Sequence, residues 1–161
     1  TFKNMVYNSF DWAVRDDDGY FFILGRTDDV INVASHRLGT REIEEAIQNH
    51  PGVAEVAVIG VADKLKGQVP VGFCRLKDPR QLEEPGAEAR LEKEVIGKVQ
   101  ELLGVVAKPS RIHFVNALPK TRSGKLLRRS IQALVEGRDP GDLSTLDDPN
   151  SLEGVRRAIG H

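Results

Sequence analysis

The stretch VAEVAVIGVADKLKGQVPVGFCRL, residues 53–76, decides the fold of this chain. Its first part, residues 53–61, is almost continuously apolar, which is typical of a strand that is buried on both faces. After a polar connection that contains Gly67, residues 69–76 alternate in polarity and predict a strand that pairs back with the first. Cys74 lies in this second strand, and we interpret it as a small buried side chain rather than a nucleophile.

Helical and strand patterns continue on both sides of this strand pair. Residues 41–50 carry apolar side chains on one face and predict a helix with acids near its positive end, for which Thr40 is the expected cap. A second helix is predicted over residues 91–103, a third strand over 111–115 and a final long helix over 125–136. The sequence therefore predicts an α+β fold in which a small three-stranded sheet is covered by helices.

Two hairpins are predicted before this unit. Residues 12–15 and 20–24 flank a run of three aspartates and Gly19, and an Asp-Gly step suits a tight turn. The aspartates could suggest a metal site, but nothing nearby supplies further ligands, so turn chemistry explains them better. Residues 30–33 form a second short strand that turns at residues 34–36. The sheet is thus expected to be preceded by β-hairpins.

The overall composition excludes several classes of protein. With 40% hydrophobic and 29% charged residues, the chain has the composition of a soluble folded protein. Its formal net charge of −1 indicates no charged partner, and it has no apolar run long enough to span a bilayer. A single cysteine excludes an internal disulfide and fits a reducing compartment. We therefore expect a cytoplasmic protein without a membrane partner.

The character of the amino-acid sequence changes at two places, which suggests that the chain has three parts. The opening residues read like the middle of a longer protein, so we expect a C-terminal piece in which residues 1–27 end a larger preceding domain. Residues 28–137 would form the α+β domain. Residues 138–161 are rich in Pro, Gly, Asp and Ser and predict a tail with one short helix over residues 151–159.

The charges are unevenly distributed along the chain. No Asp or Glu occurs between Leu102 and Val135, and this window holds seven cations. A solvated basic face is the ordinary explanation of such a run. A site for a phosphate or carboxylate anion is the more specific one. The cations are Lys108, Arg111, Lys120, Arg122, Lys125, Arg128 and Arg129.

Two specific anion motifs can be tested within this window. Residues 123–125, Ser-Gly-Lys, resemble the end of a P-loop, but Leu126 stands where Ser or Thr should bind magnesium and Pro119 replaces the first glycine. Nucleic acid is a second option, yet the basic loop has no interleaved aromatic residues and the total charge is slightly negative. We predict neither a P-loop nor a nucleic-acid partner.

The histidines are not spaced like metal ligands, so we predict no metal site from them. His113 alternates within the third predicted strand, which indicates a structural role. His36 lies beside other candidate site residues. The full set is His36, His50, His113 and His161.

The sequence contains two loops that, taken together and in their order along the chain, resemble the C-terminal domain of the adenylate-forming acyl-CoA synthetases. They are GRTDDVINVASHRL, residues 25–38, and LPKTRSGK, residues 118–125. The resemblance extends from about Phe2 to the tail. Within the family, FDWAVRDDDGYFFILGRTDDVINVASHRLGTREIEEAI (residues 10–47) and EGRDPGDLSTLDDP (residues 136–149) are similar to the short-chain branch, and most to its propionate-activating members.

The resemblance implies a two-step reaction. A carboxylate attacks the α-phosphate of ATP to give an acyl-adenylate and pyrophosphate, and the thiol of CoA then displaces AMP. The implied ligands are a small carboxylate, ATP, CoA and Mg²⁺, bound mainly by a large N-terminal domain that lies outside this chain. The same C-terminal domain would serve both steps as a mobile lid that turns on that partner domain.

The resemblance also implies roles for single residues in the first step. Lys125 matches the adenylation lysine, whose ammonium neutralises charge that develops between carboxylate and phosphate. Ser123 and Gly124 let the backbone bend close to the ligand. Asp28 matches the hinge residue at which the domain turns. Acylation of Lys125 by a lysine acyltransferase, reversed by a deacylase, would switch the first step off because it removes the charge.

Further matches concern the nucleotide and CoA. Arg26 matches an arginine that contacts the ribose, and Arg37 matches one that reaches the adenylate phosphate in the second step. Asp11 matches a carboxylate that accepts hydrogen bonds from the ribose hydroxyls. Its two acceptor oxygens suit the two hydroxyls of a diol. Ser35 and His36 lie in the hairpin that faces the CoA tunnel. The family commonly has glycine where this chain has Ser35, so its side chain is a departure that bears on the thioester step.

Alternatives remain beside this interpretation. The chain could come from an acetyl-CoA synthetase, because the acyl pocket of the family lies in the other domain. It could also act alone as a CoA- or anion-binding module. No Gly/Ser/Thr-rich phosphate loop occurs in these residues, so we expect the fragment alone to be an incomplete and inactive synthetase.

Overall fold

The computed structural model describes residues 2–3, 6–7, 11–26 and 29–160. The described residues form four α-helices: α1 (Thr40–Gln48), α2 (Ala87–Leu103), α3 (Arg128–Val135) and α4 (Pro149–Ile159). Short 3₁₀ helices occupy Pro79–Leu82 and Val105–Ala107. The strands are β1 (Phe2–Lys3), β2 (Val6–Tyr7), β3 (Asp11–Arg15), β4 (Phe21–Arg26), β5 (Val30–Val33), β6 (His36–Gly39), β7 (Val53–Asp63), β8 (Gly67–Leu76) and β9 (Arg111–Phe114).

The first predicted hairpin is present as the antiparallel pair β3–β4. Its turn is closed by a backbone bond from the Gly19 N–H to the Asp16 carbonyl at 3.1 Å. The Asp16 carboxylate accepts the Tyr20 N–H at 2.8 Å, and Gly19 has φ +90°. These bonds explain the acidic run as turn chemistry.

The main sheet confirms the predicted fold class but has more strands than expected. Strands β7, β8 and β9 are the three predicted ones; β7 runs antiparallel and β9 parallel to β8. The prediction of three strands was nevertheless wrong, because the β5–β6 hairpin joins the same sheet and makes it five-stranded in the described part of the chain. The hairpin pairs with β8 through Val33 and Gly67.

The central part of strand β7, residues 56–61, is apolar because it is covered on both faces. Val56 and Val58 point into one core, where the buried sides of α1 and α2 pack against the sheet. Ala57 and Ile59 alternate into a second core, formed with α3 and α4. This period of two places every second residue on the opposite face. The helix residues of the two cores are Ile43, Ile47, Val95 and Val99 on one side and Ile131, Leu134, Leu152 and Val155 on the other.

The helix ends correct the sequence prediction at two points. Thr40 does not cap α1: Gly39 occupies the cap position, and Thr40 is the buried first residue of the helix. Its hydroxyl has no hydrogen-bond partner among the described residues, because the side chain faces the core instead of the helix end. Helix α3 begins at Arg128 rather than Lys125, since Leu126 is still part of a turn that pairs with Lys120.

The helix predicted within residues 138–161 is present as α4. It begins at Pro149, with the carboxylate of Asp148 accepting the Asn150 N–H at 2.9 Å. Leu152 and Val155 of this helix are buried against the sheet. The segment is therefore packed onto the second core. None of the helices in the described ranges has the length and apolar content that crossing a membrane requires.

Cys74 and His113 have the structural roles that their positions suggested. Cys74 is fully buried, and burial raises the pKa of its thiol to about 12. The ring of His113 stacks on Phe73, with 5.0 Å between ring centroids. Burial lowers the pKa of His113, so the imidazole is held neutral.

Candidate functional site

Lys125 lies in a short, ordered turn at one end of the sheet. Lys120 pairs with Leu126 across the turn. The Thr121 N–H donates to the Lys125 carbonyl at 2.8 Å, and the Gly124 N–H donates to the Thr121 carbonyl at 2.8 Å. Gly124 has φ +84°, a conformation in which a side chain is strained. We call residues 120–126 the lysine turn; it holds the exposed side chain of Lys125 at its tip.

Two hydroxyl groups add to the internal order of the lysine turn. The Thr121 hydroxyl accepts the Lys125 N–H at 3.1 Å and lies 2.9 Å from the Ser123 hydroxyl. The side chains of Thr121 and Ser123 thus support the backbone that presents Lys125. Ser123 could be predicted from the sequence, whereas Thr121 could not, because its role depends on the shape of the turn.

An ion-pair cluster on the sheet anchors the start of the lysine turn. The Lys120 ammonium contacts one oxygen of Glu55, and the Arg75 Nε donates to the other at 2.8 Å. Glu55 and Arg75 are direct partners across β7 and β8. Hydrogen bonds from Lys120 and then Arg75 hold the pKa of Glu55 below its ordinary value. The cluster ties the turn to the middle strands of the sheet.

A second ion pair anchors the end of the turn. Arg128 makes a bidentate contact to Glu44, with both Nη2–O distances at 2.8 Å. Glu44 also accepts the Val58 N–H at 2.9 Å, so one carboxylate joins α1, β7 and α3. The Arg128 guanidinium lies 3.9 Å from Asp29. Glu44 does not simply complement the positive end of α1: its side chain turns toward the sheet.

These contacts explain part of the acid-free window. In the described part of the chain, Lys120, Arg128 and Arg111 pair with carboxylates; for Arg111 the partner is Glu92 at 3.5 Å. Those three cations therefore serve the fold. Lys125 is set apart by its place at the tip of the lysine turn, where its side chain is exposed.

The β5–β6 hairpin is the second candidate region. Its turn places Ala34 at φ +46° and Ser35 at φ +72°. Two consecutive positive φ values define the tight hairpin turn that favours glycine, which gives a backbone reason for glycine at the Ser35 position. The Ala34 N–H donates to the Lys66 carbonyl at 2.9 Å. His36 and Arg37 are exposed beside the turn.

A groove of about 800 Å³ lies beside the hairpin. It runs between the hairpin, the start of β8, the first half of α2 and residues 105–111, and its lining carries both apolar and charged side chains. The groove could not be predicted from the sequence, because its walls come from separate parts of the chain. Its lining includes Val33, Ala34, Lys66, Val105, Lys108 and Arg111.

The two candidate regions lie at opposite ends of the β7–β8 pair. Lys120 contacts Glu55 near the start of β7. Lys66 contacts the hairpin and lies just after Asp63, the last residue of β7. Glu55 and Asp63 are eight residues apart, which corresponds to about 26 Å along a strand. The structure therefore does not bring Lys125 together with Ser35, His36 and Arg37.

The other predicted site residues lie before the main sheet. Asp11 is exposed in β3, and Arg26 ends β4. The proposed hinge, Asp28, lies outside the described residues, as does His161. Within the described ranges, no three His, Cys, Asp or Glu side chains cluster in a way that could hold a metal ion.

Curated proteins of known name are similar to this chain over nearly its whole length. The chain is 60% identical over 158 residues to the propionate–CoA ligase of Escherichia coli K12, covering 98% of this chain and 25% of that protein. It is 48% identical to the acetyl-coenzyme A synthetase of Pyrobaculum aerophilum, covering 98% of this chain and 22% of the relative. The chain thus spans about a quarter of the length of the curated relatives it matches.

Solved structures and a family-level comparison point the same way. The crystal structure of an acyl-CoA synthetase from Brucella canis aligns with a TM-score of 0.57 and 34% identity, over 78% of this chain and 22% of that one. The sequence model of the AMP-binding enzyme C-terminal domain matches residues 42–125, just over half of the chain. Its match includes the cluster around Glu55 and ends at Lys125, so the chain belongs to the family of AMP-binding enzyme C-terminal domains.

Proposed function

We propose that this chain is the C-terminal portion of a short-chain acyl-CoA synthetase. The whole enzyme would activate propionate with ATP to propionyl-adenylate and pyrophosphate, then transfer the acyl group to CoA and release AMP. The observation that supports this best is the separation of the two exposed turns. One carries a lysine suited to adenylation and the other a hairpin suited to the thioester step, at opposite ends of one sheet.

In the first step, Lys125 acts on a developing negative charge. The carboxylate oxygen bonds to the α-phosphorus while the bond to pyrophosphate breaks, and charge accumulates on the phosphate oxygens. An ammonium held there stabilises the transition state more than the ground state. The anchored lysine turn supports this role, because placing a charge accurately requires a backbone that is held on both sides.

In the second step, the hairpin end faces the reactants. The CoA thiolate attacks the acyl carbon, and the carbon–oxygen bond to AMP breaks. Arg37 would contact the departing phosphate, while Ser35 and His36 would line the path of CoA. Because the lysine turn is anchored at Glu55 and the hairpin lies beside the far end of β7, about 26 Å along the strand, we infer that the two steps use different orientations of the domain. We assign the required rotation to Asp28.

The remaining assignments complete the proposal. Residues 1–27 would end the preceding large domain, with Asp11 and Arg26 at the ribose; residues 28–137 would form the lid and residues 138–161 its tail. ATP, CoA and Mg²⁺ would be bound mainly by the large domain. The buried, unreactive Cys74 is compatible with a cytoplasmic location.

Acetate is the alternative substrate. It is supported by the 48% identity to an archaeal acetyl-coenzyme A synthetase, which is lower than the 60% identity to the propionate–CoA ligase. A CoA- or anion-binding module that acts alone is a further alternative, supported by the groove with its cationic rim.

The test uses the full-length protein that contains this chain. Carboxylate-dependent ATP–pyrophosphate exchange is measured with acetate, propionate and butyrate, for the wild type, Lys125→Ala and the matched control Lys64→Ala. Lys64 is an exposed lysine in the turn at the opposite end of β7 and β8. Exchange that peaks with propionate and is lost in Lys125→Ala alone supports the proposal. A peak with acetate favours the alternative substrate. Absence of exchange with every acid would overturn the synthetase assignment.

Control of Lys125 by acylation follows from the same proposal. An exposed lysine on an ordered turn is accessible to a lysine acyltransferase, and an amide would remove its charge. Incubation with an excess of acyl donor and an acyltransferase should acylate Lys125 and abolish exchange, and a deacylase should restore it. Mass spectrometry that finds no acylation at Lys125 would contradict this.

A further inference from the structure

We propose that residues 144–147 act as a strap that positions the lysine turn for adenylation. This inference rests on the proposed function of Lys125. The strap lies about twenty residues beyond the lysine and outside residues 42–125, the range that the family model matches. It adds a positioning element that the motif around Lys125 does not contain.

The strap pairs with the lysine turn through the backbone. The Asp147 N–H donates to the Lys120 carbonyl at 2.9 Å, and the Arg122 N–H donates to the Thr145 carbonyl at 3.1 Å. Between these bonds, Thr121 and Leu146 form an antiparallel bridge. The other edge of residues 120–122 faces Lys125 and Leu126. Residues 120–122 are therefore the middle segment of a small three-stranded ribbon, and the strap is one of its edges.

The strap is itself attached to the core on both sides. Leu146 is buried, with 8% of its surface exposed, in the cluster that also holds Phe73 and Ile131. Before the strap, the Pro140 carbonyl accepts the hydroxyl of the buried Ser130 at 3.0 Å, which joins it to α3. After the strap, α4 packs on the same core. An element fixed at three points can transmit its position to the turn that pairs with it.

Loss of the strap should slow only the adenylation step, which is the step that uses Lys125. If the strap bonds are removed, residues 120–122 keep the internal bonds of the turn but lose one edge, and the lysine tip is held less accurately. A displacement of about 1 Å at a reacting centre can cost on the order of 100-fold in rate. The hairpin lies at the far end of the β7–β8 pair, so the thioester step should be spared.

The decisive variant is Asp147→Pro in the full-length protein. Proline removes the N–H that donates to Lys120 and leaves the buried Leu146 in place. Asp147→Ala is the matched control, because it removes the same exposed carboxylate but keeps the N–H. Leu146→Ala is a second variant that weakens the attachment of the strap through its side chain.

The first readout is limited trypsin digestion, with cleavage sites mapped by mass spectrometry. Lys120, Arg122 and Lys125 offer three sites in the lysine turn, and Lys64 and Lys66 in the opposite turn serve as an internal reference. We expect cleavage in the lysine turn to rise about 10-fold in Asp147→Pro and measurably in Leu146→Ala, with the reference sites unchanged, because proteolysis follows local opening. Asp147→Ala should be cleaved like the wild type. Unchanged cleavage in both strap variants would overturn the proposal.

The second readout separates the two half-reactions. In Asp147→Pro, ATP–pyrophosphate exchange should fall about 10-fold or more, while thioester formation from supplied acyl-adenylate and CoA should change less than about 2-fold. Equal losses in both would indicate a general folding role and would overturn the positioning role. If the wild type shows no exchange but the cleavage pattern holds, the strap stands and the synthetase assignment does not.

Discussion

The lysine turn and the β5–β6 hairpin are both exposed turns, but they are held in different ways. The lysine turn is joined to β7 through Lys120 and to residues 145–147 through backbone hydrogen bonds, and Arg128, two residues after the turn, is bound to α1. The hairpin pairs with the sheet at Val33–Gly67 and has two non-glycine residues at positive φ. If Lys125 stabilises a developing charge, as proposed, it needs an accurately fixed position, and the more extensive anchoring of its turn supplies one.

The comparison is tested most strongly by substituting one residue in each turn. Lys125→Ala should lower adenylation by about 100- to 1,000-fold, because a single preorganised electrostatic group contributes that much. Arg37→Ala should leave adenylation nearly unchanged and lower thioester formation by about 10-fold. Single-turnover assays of each half-reaction in the full-length protein distinguish the two. If both variants slow the same step, the division of labour between the turns is wrong.

The anchoring of the lysine turn predicts a large effect of Glu44→Ala on stability. The variant leaves Arg128 and the Val58 N–H without their shared carboxylate, which should lower the free energy of unfolding by about 2–3 kcal/mol. Glu45→Ala is the matched control. Glu45 is the exposed neighbour of Glu44, so its removal should change the free energy of unfolding by less than about 0.5 kcal/mol. Urea denaturation measures both. Equal effects at the two positions would show that the Glu44–Arg128 pair does not hold the turn.

The strained hairpin predicts a stabilising substitution. Ser35→Gly should raise the free energy of unfolding by about 1 kcal/mol, because glycine adopts φ +72° without strain. Ser144→Gly should have the opposite sign, since position 144 is not among the positive-φ residues. Thermal denaturation compares them. A parallel assay of thioester formation shows whether the Ser35 side chain also hinders CoA; equal rates in wild type and Ser35→Gly would exclude that.

The smallest expected effect is a pH dependence that belongs to the core and not to either turn. Because burial lowers the pKa of His113 below 6.5, the unfolded chain takes up the proton first as the pH falls through that value. Stability should therefore decline as the pH falls below about 6.5, until the pH passes the lowered pKa of His113 in the folded chain. His113→Gln should flatten this decline, which thermal denaturation across the range would detect. An identical slope in the variant would assign the dependence to another group.

Local patterns were sufficient for much of the fold. The apolar run at 53–61, the Asp-Gly turn and the helix faces each depend on a few neighbouring residues, and all appear as predicted. The two loops, residues 25–38 and 118–125, taken together likewise indicated the family, since the residues of each loop are contiguous. These features could be predicted because the physical cause and its effect lie within one turn or one strand.

The anchors of the site could not be predicted in this way. Glu44 and Arg128 are 84 residues apart, and Glu55 and Lys120 are 65 apart. Nothing near Glu44 indicates that it turns inward, and nothing near Thr40 indicates that its hydroxyl is buried rather than capping. Such pairs depend on how the layers pack, and packing is a property of the folded chain.

The pairing of residues 145–147 with the lysine turn sets where this domain can be cut and exchanged. A chimera that transplants residues 42–125 would carry Lys125 into a new host but leave behind Leu146 and the backbone bonds of Thr145 and Asp147. The graft would then depend on whatever sequence the host supplies after the junction. A transplant that ends after α4, at residue 160, transfers the lysine turn and the strap together.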